Sequence, residues 1–183
     1  MNLEPIEVNA SEILNRIYRL RVDAWLASGI NPVGSCSSEW EDEYESHARH
    51  WAVFDGERLL AAARLSIHQS LSEVPSSYVF DRLKFEAVPP IGSINRLVVH
   101  PDARGKGLSG KLDCVRVQTA ARAGCSVVMA YCLEERIKPL EKLRFVSISP
   151  INFRIEHPFG PITALTLSLS KAREFSSPLV EVV

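Results

Sequence analysis

The stretch from Ile94 to Leu112, INRLVVHPDARGKGLSGKL, constrains the fold more than any other part of this chain. An apolar run with the length of a strand ends in a short polar turn, and glycines then open a helical pattern. Glycines at such a turn let main-chain N–H groups close around an anion, and the start of the following helix adds the positive end of its dipole. The segment therefore predicts a strand, a phosphate-binding loop and a helix in immediate succession.

Three phosphate motifs overlap there. Gly105, Gly107 and Gly110 satisfy the dinucleotide spacing GxGxxG, and Gly105 to Lys111 fit a P-loop as far as its lysine. The P-loop fails at Leu112, where a Ser or Thr hydroxyl should meet Mg²⁺. The dinucleotide reading fails on context. His100 to Arg104 separate the strand from the first glycine, and too little chain follows for the usual alternation of strands and helices. The third motif is Arg/Gln-x-x-Gly-x-Gly/Ala, nearly met by Arg104, Gly107 and Ser109. Leu97-Val98-Val99-His100-Pro101-Asp102-Ala103-Arg104-Gly105-Lys106-Gly107-Leu108 resembles, residue for residue, the pyrophosphate loop of the acyl-CoA N-acyltransferases, the GNAT superfamily. Ser109 stands for that family's last Gly or Ala, one small residue for another. Pro139 to Phe145 (PLEKLRF) resembles the family's Leu-Tyr-Glu-Lys-Leu-Gly-Phe segment, and Ile17 to Trp25 resembles its first helix. Read without the resemblance, the residues leave a second possibility open, a glycine turn capping a helix with no ligand.

Composition narrows the class. The chain has 183 residues, enough for one domain with a full core and too few for two ordinary ones. One domain over residues 1–183 is expected. Its 21 basic and 22 acidic residues are balanced, so nothing suggests a partnership with nucleic acid or a membrane surface. No apolar run approaches a membrane span, and the N-terminus lacks a signal-peptide pattern. Cys36, Cys114, Cys125 and Cys132 form no CxxC pair, and a reducing cytoplasm is the expected compartment.

Periodicity lays out the rest. Ala10 to Gly29 predicts a helix capped by Ser11, and Ile30 to Ser38 a loop. The charged stretch Glu39 to His50 predicts a second helix or a helical turn, with a solvated face. Trp51 to Phe54 and Arg58 to His68 predict a hairpin around Asp55-Gly56. Ser70 to Pro90 predicts a long connection with a helical piece near Asp81 to Phe85. Further on come a strand at Ile91 to Val99, a helix at Lys106 to Ala123 stopped by Gly124, and a buried strand at Ser126 to Cys132. The chain closes with a short helix at Ile137 to Leu143, strands at Phe145 to Ile155 and Pro161 to Leu169, and a loose tail after Ser170. The family resemblance implies how these elements assemble: an α/β (α+β) fold with a mixed, mostly antiparallel central sheet, splayed at two parallel strands and covered by helices on both faces.

The resemblance also implies a site. Acetyl-CoA would lie in the splayed gap. Leu97, Val98 and Val99 would present main-chain groups to the pantetheine and thioester, and Arg104, Gly105, Lys106, Gly107, Leu108 and Ser109 would hold the pyrophosphate. Strand alternation puts Ser93, Asn95, Leu97 and Val99 on one face. Family members that carry a base on this strand place Glu or His near Ser93 and Asn95. Neither residue here is a base near neutral pH, so Asn95 either positions the acceptor and its proton-relaying water or only satisfies local main chain. Leu140 stands where the family often has the tyrosine that protonates the leaving thiolate. Tyr131 is the substitute, with a plain core tyrosine as the other reading. Trp40, Glu41, Glu43 and Tyr44 fall where the family walls its acceptor. Arg64 is a candidate for an acceptor carboxylate, and Glu156 and His157 for the acceptor mouth.

The activity so implied is acetyl transfer from acetyl-CoA to the primary amine of a small molecule or peptide, by direct attack in a ternary complex. A homodimer is compatible with it. Two alternatives stay open: an acyltransferase resembling homoserine-lactone synthases, suggested by IYRLRVDAW and Ala63-Arg64-Leu65, and a non-catalytic acyl-CoA-binding module.

Overall fold

A computed structural model describes residues 3–29, 40–148 and 160–169. The loop expected at Ile30 to Ser38, most of the strand expected at Phe145 to Ile155, the pair Glu156 and His157, and the tail after Ser170 lie outside these residues. Chain order is β1 (Ile6–Val8), α1 (Ser11–Leu26), β2 (Arg49–Asp55), β3 (Arg58–His68), α2 (Ser77–Arg82), β4 (Ile91–Val99), α3 (Leu108–Arg122), β5 (Val127–Cys132), α4 (Glu134–Lys142), β6 (Val146–Ser147) and β7 (Thr163–Ser168). The strands form one sheet in the order β1-β2-β3-β4-β5-β7-β6. Neighbours are antiparallel except β4 and β5, which α3 joins by a crossover. This is the mixed sheet that the resemblance implied.

Packing explains why these sequences form these elements. The central strand β3 is an almost unbroken buried run from Leu59 to Ser66, because both of its faces are covered. On one face, Ile17, Tyr18, Leu20 and Ala24 of α1 pack on Ala52, Ala62 and Val98. On the other, Leu108, Leu112 and Ala120 of α3 and Leu140 of α4 pack on Trp51, Ala63, Leu65 and Ile94. Gly92 of β4 is required by this second layer, since a Cβ there would sit 3.1 Å from the Ala120 Cβ.

Several expectations are corrected. The N-cap of α1 is Ala10 rather than Ser11. Of the second helix or helical turn expected over Glu39 to His50, the described part holds the turn and not the helix. Glu45–His47 is a single 3₁₀ turn, and Arg49 already begins β2. The cause is that two of the acidic side chains are not solvated: Asp42 and Glu45 turn inward onto the buried Arg64 and Arg21, while Arg49 pairs with Glu7 across β1. The three-residue β1 is too short to carry a periodicity of its own. The helix in the long connection is Ser77–Arg82, a few residues earlier than expected, and α3 starts at Leu108 after Gly107.

The largest correction concerns β4. Its pairing with β3 runs Ser93↔Ser66 and Asn95↔Arg64, then slips, so that Val98 meets Ala62 and Val99 meets Ala61. Two residues, Arg96 and Leu97, thus oppose Ala63 alone, which is a β-bulge. Arg96 absorbs it with a left-handed φ of 51°. After the bulge the faces exchange: Leu97 and Val99 pack with Ile94 on the α3 side, and Val98 packs on the α1 side. Ser93 and Asn95 therefore do not share a face with Leu97 and Val99.

Candidate active site

The parallel pairing of β4 and β5 extends only over Ile91↔Val127, Gly92↔Val128 and Ser93↔Met129, although both strands run on. Beyond Ser93 they part, and a cleft of about 600 Å³ opens between them. Its walls include Ile94, Asn95, Leu97, Val98 and Val99 from β4 and Ala130, Tyr131 and Cys132 from β5. Arg104, Gly105, Gly107, Leu108 and Ser109 close one end.

That end is built by local chemistry. The His100 N–H donates to the Leu60 carbonyl at 2.8 Å, and buried Ala103 pins the 3₁₀ turn Pro101–Ala103 under the sheet edge. Gly105 and Gly107 then take φ of 78° and 74°, values that L side chains rarely adopt, and Gly107 caps α3. A Cβ on either glycine would meet no heavy atom within 4 Å, so the concave side of the turn is open. The first turn of α3 carries no acidic residue to oppose its dipole. A long thioester cofactor with a pyrophosphate at one end fits this arrangement of cleft and loop. The Arg104 side chain turns away to the end of α1, donating to the Ala24 carbonyl at 3.2 Å and Ser28 Oγ at 3.0 Å. Lys106 is exposed and does not line the cleft. Gly110 has no neighbour within 4 Å of its Cβ position, so the close helix–strand packing that the third glycine of a dinucleotide loop serves is missing.

The α1 side of the cleft carries a buried charge network that the sequence did not reveal. Asp42 accepts from Arg64 Nη1 at 2.5 Å and from Arg96 Nη2 at 2.5 Å. Glu45 accepts from Arg21 Nη1 at 2.5 Å and Arg64 Nη1 at 2.6 Å. Burial would raise the Asp42 carboxyl, but hydrogen bonds and charge from Arg64 and Arg96 prevail and hold it at about 2. Arg64 is 1% exposed and also donates to Asn95 Oδ1 at 2.6 Å, so it is committed to the network and closed to an acceptor carboxylate. Asn95 Nδ2 donates to Ser93 Oγ at 3.2 Å, so both ends of its amide are engaged. Of the network's arginines, Arg96 is the one with an exposed side chain at the cleft, 21%, and it stacks 4.2 Å from the Trp40 ring centroid. No sequence signal singled it out, because regular alternation hides a bulge.

A second, polar cavity of about 340 Å³ adjoins the first and shares Arg96 and Tyr131 with it. Asp42, Glu43, Tyr44, Ser76, Ser77 and Tyr78 complete much of its wall. Of the expected acceptor wall, Glu43 and Tyr44 line this cavity and Trp40 the larger one, while Glu41 lines neither. Burial pushes the Cys132 thiol up to about 12, which leaves it no thiolate character near neutral pH.

A splayed parallel pair with a glycine loop at its mouth defines an acyltransferase of the acyl-CoA type, and the comparisons agree. The family model for the Acetyltransferase (GNAT) family matches residues 14–138. Among solved structures, the chain is similar to FeeM, an N-acyl amino acid synthase from uncultured soil microbes, at TM-score 0.69 and 12% identity over 92% of each chain. It is similar to MesI, a CoA-dependent acyl-homoserine lactone synthase, at TM-score 0.69 and 21% identity, covering 92% of this chain and 90% of that one. A Bacillus subtilis acetyltransferase in complex with CoA aligns at TM-score 0.57 and 12% identity, covering 91% and 99%. No curated protein sequence gives a match. The chain belongs to the GNAT acetyltransferase family, and it is an acyltransferase. No helix among the described residues is long and apolar enough to cross a membrane.

Proposed function

We propose that the chain transfers an acetyl group from acetyl-CoA to the primary amine of a small polar acceptor, by direct attack within a ternary complex. The observation that carries this reading is the meeting of the two cavities at Arg96 and Tyr131, a long cleft for the donor on one side and a polar pocket for the acceptor on the other. Acetyl-CoA supplies an activated thioester carbonyl. The chain supplies its placement: N–H groups from Arg104 to Ser109 and the α3 dipole hold the pyrophosphate, and main-chain groups of Leu97, Val98 and Val99 beyond the parted ladder hold the pantetheine arm. Donors on the β4 bulge stabilise the oxyanion. The Tyr131 hydroxyl, at the junction, protonates the leaving thiolate in place of the tyrosine that Leu140 replaces. Asn95 holds the arginine network that shapes the acceptor side. Glu43 and the serines of the polar pocket receive the ammonium form of the acceptor, which loses its proton to water.

Calorimetric titration with acetyl-CoA, NAD and ATP, followed by thiol release across a panel of amines, tests this. Micromolar binding of acetyl-CoA alone and amine-dependent thiol release are expected. Binding of NAD or ATP instead refutes the donor; binding without release for any amine refutes the enzyme and leaves an acyl-CoA-binding module. A second reading, transfer of a longer acyl group as in the homoserine-lactone synthases, is favoured by the apolar lining that Ile94, Leu97, Leu108, Leu140 and Ile162 give the cleft. A series of acyl-CoA chain lengths in the same assay decides between them.

A further inference from the structure

Arg116 occupies a position where the core-facing stripe of α3, Leu108, Leu112, Thr119 and Ala120, otherwise carries no charge except its neighbour Asp113. It is 1% exposed, and each of its three guanidinium nitrogens has a specific partner. Nη1 donates to the main-chain carbonyls of Arg64, at 3.0 Å, and Asn95, at 3.1 Å. Nε donates to the Leu112 carbonyl at 3.1 Å, and Nη2 donates to Asp113 Oδ1. The other Asp113 oxygen accepts from Arg136, whose side chain is 22% exposed and lines the cleft. Burial disfavours the charged form of Arg116, with the Asp113 carboxylate opposing that effect.

The two carbonyls are not arbitrary. Arg64 and Asn95 form the last regular pair of the β3–β4 ladder before the register slips at Arg96 and Leu97. One guanidinium therefore ties both strands together at the root of the bulge, through charge-assisted bonds stronger than neutral ones. A buried ion pair that served packing alone is matched by apolar side chains of similar volume; this one places a rigid fork against main chain at a single register position.

We propose that Arg116 is a positioning residue for acyl transfer, clamping the β4 bulge so that its main-chain donors meet the thioester carbonyl. This rests on the acyl-CoA reading above. Arg116 belongs to the cleft wall but is 1% exposed, so it acts through the main chain that it holds. Donors aimed in advance at a developing oxyanion contribute most when they cannot relax.

The test needs no acceptor. Isotope-edited infrared spectroscopy of bound [1-¹³C]acetyl-CoA reads hydrogen bonding at the thioester carbonyl, and titration with CoA reads the pyrophosphate loop separately. In the unaltered protein the carbonyl band should lie below its solution position. In Arg116→Lys and in Asp113→Asn/Arg116→Gln, the second of which leaves no unpaired carboxylate, it should return toward the solution position while the Kd for CoA changes less than about threefold. Through-bond NMR coupling between Arg116 Nη1 and the Asn95 carbonyl carbon in the unaltered protein checks the clamp without any variant. An unmoved band in a folded variant, or no such coupling, overturns the proposal. Failure of the unaltered protein to bind CoA overturns the acyl-CoA reading instead, and the clamp with it.

Discussion

Alanine at Gly107 and alanine at Gly110, three positions apart in one segment, should move this protein in opposite directions. Gly107 holds φ at 74° as the N-cap of α3, with open space where a Cβ would stand. An L-residue in the left-handed region costs about 1–2 kcal/mol, and no contact offsets it. For a chain of this size that lowers Tm by about 2–8 °C. Gly110 lies within the first turn of α3, and a Cβ there also meets nothing within 4 Å. Alanine should gain the helical preference over glycine, about 0.5–1 kcal/mol, and raise Tm by about 1–4 °C. Binding should separate the two again. Gly107 lines the cleft and Gly110 does not. Strain that the free and bound loops share cancels from affinity, so Gly107→Ala weakens acetyl-CoA only to the extent that the free loop relaxes out of the left-handed turn, by about thirty-fold at most, and Tm then falls correspondingly less. Gly110→Ala should leave affinity within about twofold, since this position neither lines the cleft nor meets a packed neighbour. Paired thermal melts and calorimetric titrations read all four quantities. Equal losses of affinity in both variants would mean that the dinucleotide spacing is functional; destabilisation by Gly110→Ala would refute the packing argument.

Tyr131→Phe removes the hydroxyl at the junction of the two cavities while keeping the ring, and should lower kcat by about 10²–10⁴-fold with little change in acetyl-CoA affinity, read by thiol release and calorimetry. Asp42 is held near 2 in the folded chain, below its ordinary 3.8, so its contribution is complete above pH 4 and is lost as pH falls toward 2. Acid unfolding curves should show this, and Asp42→Asn should flatten them there while costing about 2 kcal/mol at neutral pH. Burial, only partly countered by Glu73, lowers the His68 imidazole to about 4. Its stabilising effect is complete above pH 6.5 and is lost as pH falls through 4, and the ring's NMR shift should titrate near that lower value. Arg144 follows α4 with φ of 68°, the position at which the resembling segment of the family carries glycine. Arg144→Gly should raise stability by up to about 1 kcal/mol in denaturant melts.

The donor half of the site was legible and the acceptor half was not, for a physical reason. A pyrophosphate loop is made of main chain, and the conformations it needs are written locally: a valine strand, a proline turn, glycines at positive φ, a helix start. The glycine turn and helix start at Arg104 to Ser109 are therefore legible in one short segment, whereas the Arg104 side chain, turned onto the end of α1, is not. The acceptor side is assembled from separate parts of the chain, with Arg21 on α1, Asp42 and Glu45 before β2, Arg64 on β3 and Arg96 on β4. Each part misleads when read alone. The acidic stretch suggests a solvated helix face, because a sequence pattern cannot distinguish carboxylates facing water from carboxylates facing buried arginines. Arg64, on a strand, suggests an anion ligand, yet its donors are committed inside the fold. Arg96 is invisible because period-two alternation assumes an unbroken ladder, and the bulge that exposes it depends on register with β3. The same bulge explains Arg116, since a charge in the stripe of α3 makes sense only once two strand carbonyls are known to lie beneath it. On the acceptor placement proposed above, substrate choice would reside in pairings between distant segments, and a change of acceptor would need altered partners at Asp42 and Arg96 rather than an altered motif.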